Sequence, residues 1–306
     1  MSLNNTVKAI FESRKEQEIK QTLRLGVLSD TRPVRGHIWP EMLNELIEDQ
    51  KADLVVNGGD FTDWSRKWEY KEYLEKIKEH QFKMLHVIGN HDDRFFGNSY
   101  FKKHFGSWDF FIDYGNWRLI FLRNTWKTGY GTHRYQRDWL RSICSKAKKT
   151  NKKICFFTHV PVFTLFQEMI VDHYEPEKDV SKKMIRDDEL HKIIKDYCSI
   201  CVFGHAHMFA ISRTRNTGDH VISGGGAPNL YPCKRINQSP YEYCQENNTG
   251  PELTSFSTIQ GKAWSVNHSL MIELNQDHTH TISLVRRGGD IHPDYVFKRN
   301  KQGFIM

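Results

Sequence analysis

Leu54-Val55-Val56-Asn57-Gly58-Gly59-Asp60 is a short apolar run that stops on two glycines and an aspartate. The run has the length and composition of a strand, and the glycines allow a tight turn that delivers Asp60 just past its carboxyl end. The same design recurs on both sides. Upstream, 23–29 reads as a strand followed by Asp30; downstream, 84–88 reads as a strand leading into Gly89-Asn90-His91-Asp92. Farther along, 153–158 ends at His159, and 200–203 ends at Gly204-His205-Ala206-His207, with another strand over 119–123. Charged, helix-periodic stretches over 39–50, 68–80, 136–148 and 187–197 alternate with these runs. The first two thirds therefore read as repeated β-α units, an α/β class with helices flanking sheet.

After Gly204 the character changes. Segments 221–223, 270–274 and 281–285 read as strands, and 275–278 reads as a hairpin turn, so a mainly antiparallel ending is expected. Two long excursions, 163–188 and 224–262, are expected to shape a substrate pocket, because loops of that length inside a compact domain are usually functional. Tyr174, Lys182, Lys183, Tyr231, Lys234 and Arg235 are available there to meet a base or a phosphate. The chain reads as one domain over 1–306, with a core at about 23–223 and carboxyl-terminal strands and loops at about 224–306.

Hydrophobic residues make up 38% of the 306 and charged residues 26%, a balance that excludes disordered and fibrous classes. No apolar run approaches the roughly 20 residues of a membrane-spanning helix, and no secretory leader is visible, so a cytoplasmic location is expected. A formal net charge of +7 favours anionic partners such as nucleotides and phosphate groups. The densest basic run, Lys146 to Lys153, reads as the solvated end of a helix rather than a nucleic-acid patch. Six cysteines do not have the density of a disulfide scaffold. Cys198 and Cys201 fall in what reads as a strand, where residues three apart point to opposite faces, so they read as buried small hydrophobes. A Cys233–Cys244 disulfide stays open.

Five strand ends thus carry Asp, Asn and His, and in open α/β sheets the carboxyl ends of strands border the ligand crevice. Each residue alone has an ordinary reading: an aspartate after a strand as a helix cap, Asn90 as a turn residue, a histidine as a hydrogen-bonded structural group. Together they form a mixed oxygen and nitrogen donor set suited to Mn, Fe, Zn or Ni rather than Ca. His205 and His207, two apart in an extended segment, project to the same side.

In chain order, Gly59-Asp60-x-x-Asp63, Gly89-Asn90-His91-Asp92, His159 and Gly204-His205-x-His207 resemble the calcineurin-like metallophosphoesterases over about 23–223. The resemblance implies a two-sheet sandwich flanked by helices, in four layers α/β/β/α, holding two divalent or trivalent transition-metal ions. It implies that Asp60 bridges both ions, that Asn90, His159 and His205 complete one site, and that Asp30 and His207 serve the other. His91 becomes the proton donor to the leaving group and Asp63 the residue that orients it. Two such ions, roughly 3.5–4 Å apart, can hold a hydroxide for in-line attack on phosphorus. Segment 136–159 and Ser223-Gly224-Gly225-Gly226 also look like the cyclic nucleotide phosphodiesterase and purple acid phosphatase-like branch.

One position departs from the pattern. The family usually opens with Asp-x-His, but this chain reads Asp30-Thr31-Arg32, and a guanidinium has no lone pair to give a metal. Three readings stay open. Arg32 points into the crevice and binds Asp30 or, with Asn90, substrate phosphate, leaving a weaker first site made by Asp30, Asp60 and His207; or His37 swings in as the missing ligand; or the first site is empty and the chain uses one ion or has lost activity. The expected function is hydrolysis of a phosphodiester, phosphomonoester or pyrophosphate bond in a small molecule such as a nucleotide. A nuclease, with steeply salt-dependent affinity, and an inactive relative that keeps the fold as a binding scaffold are the competing readings.

Overall fold

The computed structural model describes residues 2–14, 16–32, 38–126, 129–162, 187–213, 218–226, 230, 260–264, 266–303 and 306. In chain order the elements are α1 (Leu3–Glu12), β1 (Thr22–Leu28), α2 (Trp39–Asn44), β2 (Leu54–Asn57), α3 (Lys67–Lys76), β3 (Met84–His86), α4 (Gly97–His104), β4 (Phe110–Tyr114), β5 (Trp117–Phe121), β6 (Thr125–Trp126), β7 (Gly129–Tyr130) and α5 (Arg134–Lys149). They continue with β8 (Lys153–Phe157), α6 (Asp188–Tyr197), β9 (Ile200–Phe203), β10 (Phe209–Arg213), β11 (Asp219–Ser223), β12 (Gln260–Trp264), β13 (His268–Asn275), β14 (His280–Arg286) and β15 (Ile291–Arg299).

One sheet runs β15-β14-β13-β1-β2-β3 and the other β12-β10-β11-β9-β8-β5-β4. Within the first, β1, β2 and β3 are parallel; within the second, β5, β8, β9 and β11 are parallel. Alternation along the strands explains the layers. Leu23, Leu25 and Val27 of β1 and Trp117, Leu119 and Phe121 of β5 enter one core between the sheets. The alternate residue Ile120, with Ile154 and Phe156 of β8, instead packs under α5 and α6. Met84 of β3 and Val55 of β2 pack under α2, α3 and α4. Two sheets flanked by helices on both outer faces are thus the sandwich that the motif series implies.

The helix expected over 39–50 begins as α2 and continues over Glu45–Asp49 with i to i+5 hydrogen bonds, closed by Gln50 N–H donating to Glu45 O at 2.9 Å. The strand expected over 119–123 starts two residues earlier. Arg118 belongs to β5 through its main-chain pairing with Asp113 and Ile154, and its guanidinium is also tied to the Asp113 carboxylate at 2.7 and 2.8 Å. α5 ends at Lys149 with Lys146, Lys148 and Lys149 in its last turn, as the basic run suggested. The antiparallel ending is present in β13, β14 and β15, with β13 paired to β1. Among the described residues no helix is long and apolar enough to cross a membrane.

Cys198 and Cys201 are buried in the hydrophobic core as expected, but the strand premise for Cys198 needs correction. Cys198 lies beyond α6 and before β9, so the period-two rule does not reach it. It packs with Cys201 and Cys144 in the same core. Burial there pushes the Cys198 thiol well above its usual range. Cys233, Cys244, His37 and the six pocket residues named for the two excursions lie outside the described residues.

Candidate metal centre

β1, β2 and β3 point their carboxyl ends the same way as β8 and β9 of the facing sheet, and the turns beyond them meet at one edge of the sandwich. Hydrogen bonds across the two sheets fix that meeting. His159 donates from Nδ1 to Gly58 O at 2.9 Å, and the His205 N–H donates to Asp30 Oδ2 at 3.0 Å. Asp30 N–H donates to Gly59 O at 2.9 Å. All six expected ligands, Asp30, Asp60, Asn90, His159, His205 and His207, are brought to this edge. Asp30, Asp60 and His159 are fully buried.

The local backbone is costly. Asp30, Asp60 and His205 all adopt left-handed φ values of 62°, 57° and 66°, a region that non-glycine residues enter at a price in strain and that clusters at functional sites. Gly59 (φ 105°) has no alternative: a Cβ there would lie 2.6 Å from His159 Nδ1. A Cβ on Gly89 would lie 2.2 Å from Asp60 Oδ1. The glycines in the motifs therefore let two ligand-bearing turns touch.

Four donor atoms converge. Asn90 Oδ1 lies 2.8 Å from His205 Nδ1 and 3.2 Å from His159 Nε2, and His159 Nε2 lies 3.3 Å from Asp60 Oδ1. Ligands held about 2.1 Å from one ion sit about 3.0–3.4 Å from one another, so these spacings fit the coordination shell of a single cation. Ligand atoms of Asp60, His159 and His205 all fall within 4.8 Å of one another. Because Gly58 accepts from Nδ1 of His159, Nε2 is the ring nitrogen that faces the cluster. Electrostatics agree. Burial opposes a charge on His159, yet Asp60 and then Asp30 push its pKa up to about 9, so the cluster calls for positive charge at its centre. Asp60 is held well below the usual carboxylate range by His159, His91 and Arg32, against the opposing effect of its burial.

The other half of the expected set does not fit an ion in the same way. Arg32 Nη2 lies 3.0 Å from Asp60 Oδ2 and 3.5 Å from His207 Nε2, and its Nη1 lies 3.6 Å from Asp63 Oδ1. Arg32 thus pairs with Asp60 rather than with Asp30. His207 Nε2 lies 3.5 Å from Asp30 Oδ1, a buried oxygen without a hydrogen bond among the described residues.

His91 stands at the rim. Its Nδ1 donates to the backbone carbonyl of Asp63 at 2.7 Å, with the Asp63 carboxylate at 3.3 Å. Asp63 therefore orients His91 mainly through its main chain. Nε2 of His91 lies 3.9 Å from Asp60 Oδ2 and receives Arg94 Nη2 at 3.2 Å. Burial lowers the His91 pKa, and Arg32 and Arg94 lower it further against the pull of Asp60.

Three residues at the site escaped the sequence reading of roles. Asp92, inside the quoted Asn90-His91-Asp92 run, accepts from Asp60 N–H, Gly89 N–H, Thr62 N–H and the Thr62 hydroxyl at 2.7 to 2.9 Å, tying two ligand turns together. Arg94 follows His91 by three residues, and that spacing was its only signal. Tyr130, whose ring lies 5.4 Å from that of His205, comes from the short β6–β7 hairpin and had none.

Comparisons with known proteins bear on the family and the fold. The family model for calcineurin-like phosphoesterases matches residues 23–209. No curated protein matches the chain in sequence. A purple acid phosphatase from yellow lupin (Lupinus luteus) has a similar structure, with TM-score 0.69 and 12% identity, over 92% of this chain and 55% of that one, so the chain spans about half the length of the lupin protein. A dimetal phosphatase from Danio rerio is similar at TM-score 0.56 and 12% identity, over 86% of this chain and 95% of that one. GAP50, the anchor in the inner membrane complex of Plasmodium, is similar at TM-score 0.58 and 15% identity, over 92% and 89%. These likenesses are likenesses of fold.

Proposed function

The chain belongs to the calcineurin-like phosphoesterases, a family of metal-dependent phosphoric ester hydrolases, and from that premise we propose that it hydrolyses a phosphoester bond of a small molecule at the crevice between its two sheets. The observation that carries the reading is the convergence of Asp60 Oδ1, Asn90 Oδ1, His159 Nε2 and His205 Nδ1 at spacings of 2.8 to 3.3 Å. A transition-metal ion bound there supplies Lewis acidity toward a phosphoryl oxygen and toward water.

The chain's own residues account for the remainder. Asp60, Asn90, His159 and His205 bind and fix the ion. The guanidinium groups of Arg32 and Arg94 face the mouth beside His91 and neutralise charge on a phosphoryl group. His91 carries the proton for the departing oxygen on Nε2, since Nδ1 is committed to the Asp63 carbonyl. In the resting chain Arg94 donates to that same Nε2, so the protonated form requires Arg94 to turn away, which an anionic substrate promotes by taking its hydrogen bonds. The +7 charge favours anionic substrates, and nucleotides are the natural class to screen first.

The test is hydrolysis of bis(p-nitrophenyl) phosphate in added Mn2+ by the native chain and by Asp60→Asn, with the variant's fold checked by circular dichroism. Metal-dependent activity in the native chain that vanishes in the variant is the expected result. A native chain inert toward mono- and diesters across Mn, Fe, Zn and Ni overturns it. That outcome favours the scaffold reading, for which the pairing of Arg32 with Asp60 is the specific observation.

A further inference from the structure

Asp60 presents its two carboxylate oxygens to two different neighbours. Oδ1 faces the donor cluster of His159, while Oδ2 is held by Arg32 Nη2 at 3.0 Å. The same Nη2 lies 3.5 Å from His207 Nε2, and Nη1 lies 3.6 Å from Asp63 Oδ1. A guanidinium nitrogen therefore sits among the donors that the family resemblance assigns to a first ion. Its position is not casual. The Arg32 N–H donates to Asp60 O at 3.2 Å, anchoring its main chain beside the carboxylate, and only 21% of its side chain is exposed.

Two consequences follow from elementary chemistry. The chain has exchanged a neutral imidazole donor for a group with no lone pair, so the ligand count for a first ion falls to Asp30, Asp60 and His207. It has also gained a permanent positive charge 3.0 Å from Asp60 and 3.5 Å from His207, two of those three ligands, and a divalent ion beside it is repelled. A nearby guanidinium still does much of what that ion does electrostatically: it neutralises Asp60 and Asp63 and presents a cationic face to a phosphoryl group.

We infer that this chain binds one metal ion, at Asp60, Asn90, His159 and His205, and that the guanidinium of Arg32 stands in the place of the second as a built-in cation. The inference rests on the metal site of the proposed function but not on hydrolysis. Asp30 and His207 then act on the fold and on Arg32 rather than as ligands. Asp30 holds the turns together through Oδ2, which accepts from Ser29 Oγ at 2.7 Å and from the His205 N–H.

The test reads metal, not turnover. The native chain, Arg32→His and Arg32→Ala are loaded with Mn2+, and bound ion per chain is measured by titration calorimetry and elemental analysis. Electron paramagnetic resonance of the same samples then separates isolated ions from spin-coupled pairs. One ion per chain with the spectrum of an isolated ion is expected for the native protein, and two with a coupled spectrum for Arg32→His. Arg32→Ala, which removes the charge without adding a donor, is expected to take up the second ion more weakly. Two coupled ions in the native chain overturn the inference, as does no ion at all. Variants that both stay at one ion overturn the role given to the guanidinium. One native ion without hydrolytic activity sinks the proposed function and leaves this inference standing.

Discussion

Replacing Asp92 by asparagine tests whether the ligand turns are held by one buried carboxylate. Its Oδ2 accepts the N–H groups of Asp60 and Gly89 at 2.7 and 2.9 Å, and its Oδ1 accepts the N–H and hydroxyl of Thr62 at 2.8 and 2.9 Å. Asparagine keeps one oxygen, so its NH2 must confront donors. In the cheaper orientation Asp60 and Gly89 remain satisfied and the Thr62 hydroxyl turns to His91 O, already 3.2 Å away. The Thr62 N–H is then stranded at about 1–3 kcal/mol. Both surviving bonds also lose the assistance of a charge, roughly 1 kcal/mol more between them. Part of this is returned, because burial and then the Asp60 charge push the Asp92 pKa up to about 7 and the neutral amide avoids that desolvation. The expected net loss is about 2–3 kcal/mol, a large share of the ~5–15 kcal/mol typical of a folded domain. Urea unfolding should show a lower midpoint with the slope unchanged. Because Asp60 and Asn90 ride on the tied turns, Mn2+ affinity should fall about 10- to 100-fold. A midpoint and an affinity both equal to those of the native chain refute the reasoning.

Three further outcomes can be checked. Burial, Arg32 and Arg94 all depress the His91 pKa, so Arg94→Gln removes one neighbouring positive charge and raises that pKa; because a proton donor is lost as pH rises through its pKa, the alkaline limb of the kcat/KM profile for bis(p-nitrophenyl) phosphate should move to higher pH, and an unmoved limb argues against His91 as the proton donor. Asp219, fully buried and held by Arg213, Arg299 and His280 at 2.7 to 3.0 Å, should cost about 3–5 kcal/mol when changed to alanine, because two guanidinium groups lose their counter-ion. Its pKa is depressed below the unfolded value near 3.9, so that stabilisation is present above about pH 4 and shrinks as pH falls through the folded pKa; the gap between native and variant in urea should close in acid. His86, His220 and His268 are buried and neutral, their pKa values pushed down to about 3, 3 and 4, whereas an unfolded histidine binds a proton near 6.5. Stability should therefore fall by up to about 4 kcal/mol per pH unit as pH drops below about 6.5, and stability that stays flat from there to about pH 5 would contradict it.

What could be read from the sequence, and what could not, divides along physical lines. The central strands read well because they are buried on both faces. Leu54 to Val56 form an uninterrupted apolar run for that reason, and the polar residues after them stand out as the crevice edge. Elements at the margins did not. β15 carries Pro293 and Asp294 and is exposed along one side, so it offers no apolar run, as suits the edge of a sheet. α1 is visible in Val7 and Phe11 only once its role is known: the Asn4 amide pairs with the His86 main chain at 3.0 and 3.1 Å and covers the edge of β3. At the site, ligand identities follow from residue type and position. What Arg32 contacts depends on which way a long side chain turns, and no spacing encodes that.

The strain at the ligands ties the two questions together. Asp30, Asp60 and His205 hold left-handed backbone conformations, and each is fixed by hydrogen bonds from a neighbouring turn: Gly59 O for the Asp30 N–H, Asp92 for the Asp60 N–H, and Asp30 Oδ2 for the His205 N–H. Two of these links join turns of the first sheet, and the third crosses to the second. Site geometry is therefore a property of how the two sheets are docked, not of any one loop. A cation in the Asp60–Asn90–His159–His205 cluster draws together groups from both sheets, so binding should stabilise the folded chain by mass action in proportion to its affinity. The Arg32–Asp60 pair joins turns of the first sheet, and Arg32 reaches the second only through its longer 3.5 Å contact with His207, so by the same logic it stiffens chiefly one half of the crevice, while a bound ion would hold the halves together.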